Sequence, residues 1–327
     1  MANFMQSVDD RTRLAGANRL EVLLFSLGKD PVSGREEKFG INVFKVREVM
    51  RSPDIVRAPD MPPGVEGMVS LRGTMIPVVD LAHFCDMDVE GIGKPESLIV
   101  TEYNRTMQGF LVRNVDQILR MEWNQIKVPP SMMSHRHGGL INAVAELDDG
   151  SIVMMMDVEK VLEETSQQGS DPLLFEGVTS MGTDATVFFA DDSSVARKQI
   201  ERTLDKMELK HIGAINGKDA WQKLGDIADR AQSTGKIVKD LIQIILTDIE
   251  MPEMDGYVLT RMIKQDKRFE GIPVIMHSSL SAEANVNLGK SVGADGYVAK
   301  FNPTDLAAAL APSIKGRTVA DLVGKLA

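Results

Sequence analysis

The stretch Ile244-Ile245-Leu246-Thr247-Asp248-Ile249-Glu250-Met251-Pro252-Glu253-Met254-Asp255-Gly256 restricts the fold of this chain most tightly. A short run of branched apolar residues predicts a strand buried on both faces of a parallel sheet. Met251-Pro252 cannot extend it, because proline has no N–H for the ladder. Asp255-Gly256, followed by Tyr257, Leu259, Met262 and Ile263, reads as a capped helix start. Asp248 therefore stands at the carboxyl end of a central strand, where open α/β sheets place their chemistry. Taken alone, it is equally a loop residue or a cap.

Three further runs bear on that choice. Thr186-Val187-Phe188-Phe189-Ala190 ends in Asp191-Asp192, Pro273-Val274-Ile275-Met276 in His277-Ser278-Ser279, and Gly296-Tyr297-Val298-Ala299 in Lys300. Parallel strands would gather these ends in one crevice holding three carboxylates, a hydroxyl and an ammonium. Clustered carboxylates repel unless a cation neutralises them, and hard oxygen ligands with open positions suit Mg²⁺ completed by phosphate. One carboxylate is then a nucleophile for phosphorus, and Lys300 and Ser278 are placed to stabilise the transferred oxygens.

With these elements in order, Ala185 to Ala311 resembles a response-regulator receiver domain. The resemblance implies an α/β (βα)5 flavodoxin-like fold with a parallel sheet. It makes Asp248 the phosphoacceptor and assigns Mg²⁺ to Asp192 and Asp248 directly, to Asp191 through water and to the Glu250 carbonyl. Tyr297 matches the aromatic that swings inward on phosphorylation, beside Ser278 and Lys300. The family usually has a cis proline after the lysine; here Phe301 follows. Glu250, two residues past the acceptor, is expected to look over the mouth of the site. There its carboxylate would repel an attacking water and slow loss of the phosphoryl group roughly fivefold.

The 327 residues suggest two domains. An excess of 47 acidic over 37 basic residues argues against nucleic acid or an anionic membrane as partner. One cysteine, Cys85, excludes an internal disulfide and reads as a buried hydrophobe. No apolar run is long enough for a signal peptide or a membrane span, so a cytoplasmic protein without membrane insertion is expected. Residues 1–17 read as a tail, or as a helical face of Phe4, Met5 and Val8.

Residues 18–165 have an all-β texture. Leu20–Leu27 and Lys38–Val43 read as strands. Val46, Val49 and Met50 stand at helical spacing and predict a short helix. Arg72-Gly73-Thr74-Met75-Ile76-Pro77-Val78-Val79-Asp80-Leu81 aligns without gaps on Asp149-Gly150-Ser151-Ile152-Val153-Met154-Met155-Met156-Asp157-Val158. In each, x-Gly makes a hairpin turn and a strand runs to an aspartate read as a helix cap, so two related β subdomains are predicted. His135 and His137 alternate in a loop-like stretch without a third metal ligand in view, and the methionines read as core filling.

No catalytic constellation is visible in this half. Gly67-Met68-Val69-Ser70-Leu71-Arg72-Gly73 with Pro77-Val78-Val79-Asp80-Leu81, Phe39-Gly40-Ile41, Leu140-Ile141 and Asp157 resemble the CheW-type coupling domain. This implies two five-stranded barrels without enzymatic activity, bridging methyl-accepting chemoreceptors to the CheA histidine kinase. Leu71, Arg72 and Gly73 are the expected protein-binding residues, and the alternative for Arg72 is a turn residue bonding backbone carbonyls.

Residues 166–184 read as a linker with an apolar island at Leu173–Phe175, the receiver as 185–314, and 315–327 as a tail too short for a DNA-binding output domain. Within the receiver, the first helix is expected over Ser194–Leu209, a second capped at Asn216, a long loop over Ala231–Lys239, and a last helix from Pro303. The pairing resembles the CheV-type chemotaxis coupling proteins. It implies an adaptor in chemoreceptor arrays, tuned by phosphorylation of Asp248. A phosphate sink draining CheA and a constitutive scaffold are the other readings; the acidic cluster disfavours the last. The receiver would support only its own phosphotransfer and autodephosphorylation.

Overall fold

The structure, a computed structural model, describes residues 19–57, 59, 61, 64–90, 94–103, 106–129, 140–165, 175–278, 283–300 and 302–314. The chain divides into two compact units, one spanning Leu20–Ser170 and the other including Asp171–Ala327.

The first unit carries strands β1 (Arg19–Lys29), β2 (Glu36–Asn42), β3 (Val46–Arg51), β4 (Val65–Leu71), β5 (Thr74–Asp80), β6 (Ser97–Tyr103), β7 (Thr106–Val112), β8 (Asn114–Glu122), β9 (Ile126–Lys127), β10 (Ile141–Glu146) and β11 (Ile152–Met156), with helices α1 (Leu81–Phe84) and α2 (Val158–Thr165). They form two mixed sheets, ordered β3-β6-β7-β5-β4 and β8-β1-β2-β11-β10-β9. One thus has the five strands expected and the other six. Residues of both sheets, among them Phe25, Phe39, Val79, Phe110 and Met156, share one core. Each sheet turns its other face onto a core of its own. This double burial explains why β1 reads as a continuous apolar run.

The internal repeat is structural. β5 pairs antiparallel with β4 and parallel with β7; β11 pairs antiparallel with β10 and parallel with β2. Gly73 and Gly150, at φ 85° and 77°, supply the left-handed turn residue. Asp80 accepts from the Ala82 N–H at 2.9 Å and Asp157 from that of Glu159 at 3.1 Å, so both aspartates cap helices as expected. Met154 to Met156 are buried core residues. The helix expected around Val46–Met50 is absent. A single 3-10 turn, Val43–Lys45, leads into β3, which pairs with β6. Strand pairing overrides a short-range spacing that β-branched residues satisfy poorly in a helix.

The second unit carries β12 (Thr186–Ala190), α3 (Ser194–Lys206), β13 (Lys210–Ala214), α4 (Gly217–Ser233), β14 (Ile244–Thr247), α5 (Gly256–Gln265), β15 (Val274–Ser278), α6 (Glu283–Ser291), β16 (Gly296–Ala299) and α7 (Pro303–Ile314). All strand pairs in the sheet β13-β12-β14-β15-β16 are parallel. One face packs on α4 and α5 and the other on α3 and α7. Ile200, Leu204 and Met207 face inward as predicted. The loop expected from Ala231 begins only after α4 ends at Ser233, because Ala228 and Ala231 continue its buried face. Val178, within the stretch read as linker, is buried in the core beside α3 and α7. His135, His137, Leu173, Leu174, Phe301 and both tails lie outside the described residues. No helix of the described residues is long and apolar enough to cross a membrane.

Candidate phosphoacceptor site

From β12 the chain crosses to β13 on one side and then returns to β14 on the other. This switch point opens a crevice at the carboxyl ends of β12 and β14. Asp191 and Asp248 are the first residues past those two ends, and both are buried. Asp191, Asp192 and Asp248 each offer a carboxylate oxygen within 4.8 Å of the others. Lys300, following β16, places Nζ 2.8 Å from Asp191 Oδ2 and 2.7 Å from Asp248 Oδ2. Its ammonium is the internal countercharge of the cluster.

Local bonds fix each group. The Asp248 carboxylate accepts the Ile249 N–H at 2.7 Å, and the Thr247 hydroxyl donates to the Asp248 carbonyl at 2.9 Å. Asp191 Oδ1 accepts the Ser193 N–H at 3.0 Å. Burial pushes the Asp248 carboxyl above the usual carboxylate range; Lys300 pulls it down, while Asp191 and Asp192 push it further up. Ser278 is buried at the end of β15, and its hydroxyl hydrogen-bonds Tyr297, whose phenol burial pushes up to about 12. The expected acceptor, acidic pair, hydroxyl, lysine and aromatic thus converge. A set of hard carboxylate oxygens around one point fits a small divalent cation such as Mg²⁺.

Glu250 departs from expectation. It is only 8% exposed, and its charge adds to burial in raising the phenols of Tyr257 and Tyr297. Two residues escaped the sequence reading. Arg197 on α3 donates from Nη1 to the carbonyls of Asp191 and Asp192 at 2.8 and 2.9 Å. A cation this near a helix N-terminus opposes the helix dipole, and that was its available signal. Tyr257, read as a periodic apolar residue, packs with Ile249, Met276 and Tyr297 beside the site.

In the first unit, Arg72 adopts φ 50° at the β4–β5 turn. Its exposed guanidinium donates to Glu48 Oε2 at 2.9 Å, so its described partner is a carboxylate on β3 and not a backbone carbonyl. Leu71 is half-buried and Gly73 exposed beside it.

Comparison with known proteins matches the CheW-like domain to residues 21–166 and the response regulator receiver domain to residues 187–311. The chain is a CheW-like domain joined to a response-regulator receiver domain. Chemotaxis protein CheV1 of Helicobacter pylori is 26% identical over 94% of this chain and 97% of that protein. Chemotaxis protein CheW of Thermotoga maritima is 29% identical over 49% of this chain and 95% of its own length. Chemotaxis protein CheY1 of H. pylori is 33% identical over 35% of this chain and 83% of its own length. The match to CheV1 thus runs through both domains along nearly the whole chain, which supports a chemotaxis coupling role.

Proposed function

We propose that this CheV-type chain links chemoreceptors to the CheA kinase and that phosphorylation of Asp248 adjusts that link. One observation carries the reading: the Asp191–Asp192–Asp248 cluster with its Lys300 countercharge, in the same chain as a CheW-like domain. A domain used only as a scaffold has no need to gather three carboxylates, two of them buried, since buried like charges are costly.

In the proposed reaction an Asp248 oxygen attacks phosphorus, the bond from phosphorus to the donor atom breaks, and an acyl phosphate forms. Mg²⁺, held by Asp192, Asp248, the Glu250 carbonyl and, through water, Asp191, would neutralise phosphoryl oxygens. Lys300 and Ser278 donate to the remaining oxygens as charge accumulates there. The Tyr297 phenol, already bonded to Ser278, follows that hydroxyl and carries the change to the surface beside β16. Leu71, Arg72 and Gly73 present the coupling surface.

The test is labelling by acetyl phosphate or CheA, followed by kinase activity in a reconstituted receptor–CheA complex. Label that requires Mg²⁺ and is lost in Asp248→Asn is expected, with kinase activity that differs between wild type and Asp248→Ala under phosphorylating conditions. Label surviving Asp248→Asn, or full labelling in EDTA, overturns the site. Equal kinase activity overturns the regulatory role.

A further inference from the structure

The loop from Ile249 to Asp255 begins at the residue after the acceptor, and two devices fix it. At its base the Gly256 N–H donates to the Ile249 carbonyl at 2.9 Å. Any Cβ at Gly256 would lie 2.0 Å from the Asp248 carbonyl oxygen, so the two loop ends touch as closely as backbone allows. Further out, Glu253 adopts φ 64°, a left-handed conformation that a residue with a side chain rarely takes without compensation. Its carboxylate accepts from Asn216 Nδ2 at 3.0 Å and from Lys218 Nζ at 3.2 Å. Asn216 is buried and works in both directions, because its Oδ1 also caps α4 by accepting the Asp219 N–H at 2.8 Å. Between them, a Cβ at Gly217 would meet the Met254 carbonyl oxygen at 2.3 Å, so only glycine lets the helix start approach the loop.

We propose that Glu253 is a positioning residue for the phosphoacceptor site: Asn216 and Lys218 hold it in its strained conformation, and this clamp sets the loop backbone that faces a bound cation. The inference rests on the Mg²⁺ reading above, since the Glu250 carbonyl belongs to this loop. None of the three clamp residues offers a ligand. Their effect is to keep the loop from adjusting, so that its backbone is already in position when a divalent ion binds.

Two variants of the full chain test this. Asn216→Ser keeps a competent helix cap but removes the donor to Glu253. Glu253→Gly accepts the left-handed conformation without strain but removes the carboxylate. Mg²⁺ titration by calorimetry is expected to show Asn216→Ser binding roughly fivefold more weakly, the effect of losing one hydrogen bond of ordinary net strength, and Glu253→Gly, which loses its bonds to both Asn216 and Lys218, at least as weakly. The double variant should be no weaker than Glu253→Gly alone. Amide exchange of residues 249–255 in EDTA should accelerate in both. The melting temperature of Glu253→Gly should hold or rise, a split that a purely structural contact does not produce. Unchanged Mg²⁺ affinity in both variants, or effects that multiply in the double variant, overturns the clamp and leaves the metal reading standing. A wild-type chain that binds no Mg²⁺ overturns the metal reading and the clamp's role together.

Discussion

Lys300 is the residue on which the acidic site depends most. Its side chain is 3% exposed and lies between two buried carboxylates. A buried ion pair adds little over an apolar substitute, but removing one partner leaves uncompensated charge and costs about 3–5 kcal/mol. We expect Lys300→Ala to lower the melting temperature strongly in EDTA at neutral pH. Saturating Mg²⁺ should recover much of the loss, since a cation replaces the ammonium. Mildly acid pH should also narrow the gap, because Asp248, already raised above its ordinary range, then protonates. A deficit that neither Mg²⁺ nor pH changes would mean that Lys300 contributes packing alone. Arg197 is the complementary case: it binds the carbonyls of the acidic pair rather than the carboxylates, and so supports their placement without occupying a ligand position.

At the scale of elements, α5 begins on a titratable cap. Asp255 accepts the Val258 N–H at 2.7 Å, yet burial pushes its carboxyl up to about 6 from an ordinary 3.8. Between about pH 4 and 6 the folded state therefore holds a proton that the unfolded chain has released, and stability falls as pH rises through that window. Asparagine caps as well as aspartate and does not ionise. Asp255→Asn should match wild type near pH 4 and exceed it by up to about 3 kcal/mol above pH 6, following from a shift of about two pH units. Urea denaturation at pH 4, 5, 6 and 7 measures this, and a difference independent of pH would show that the cap carries no charge penalty. The first residue of α5 is less tolerant. Gly256→Ala would drive a methyl into the Asp248 carbonyl and should abolish labelling by acetyl phosphate and destabilise the receiver; labelling at the wild-type rate would show that the backbone there can yield.

For the whole molecule, the CheW-like domain and the receiver fall in two different compact units. Arg72 is exposed, and its ion pair with Glu48 lies at the surface, where such pairs are worth 0–1 kcal/mol. Arg72→Glu should therefore leave the melting temperature within a degree or two of wild type, while abolishing co-sedimentation with receptor and kinase and leaving acetyl phosphate labelling intact. A melting temperature that falls together with assembly would show that Arg72 holds the turn instead of meeting a partner.

Local physics made much of this legible in sequence. Branched runs ending in Asp191-Asp192, Asp248, Ser278 and Lys300 encode strands and their ends, because β-branching and proline act within a few residues. The caps at Asp80, Asp157, Asn216 and Asp255 are likewise readable, since a cap bonds an amide two or three positions on. Other features rest on contacts between distant residues. Val46–Arg51 is a strand because it pairs with β6, whatever its own spacing suggests. Glu250 is buried because of what packs around it, and Val178 joins a core more than a hundred residues long in sequence. Asn216 meets Glu253 across 37 positions, and Lys300 reaches Asp248 across 52. Sequence spacing constrains neighbours in the chain; only the assembled parallel sheet, by setting which strand ends lie side by side, decides which charges share a low-dielectric crevice.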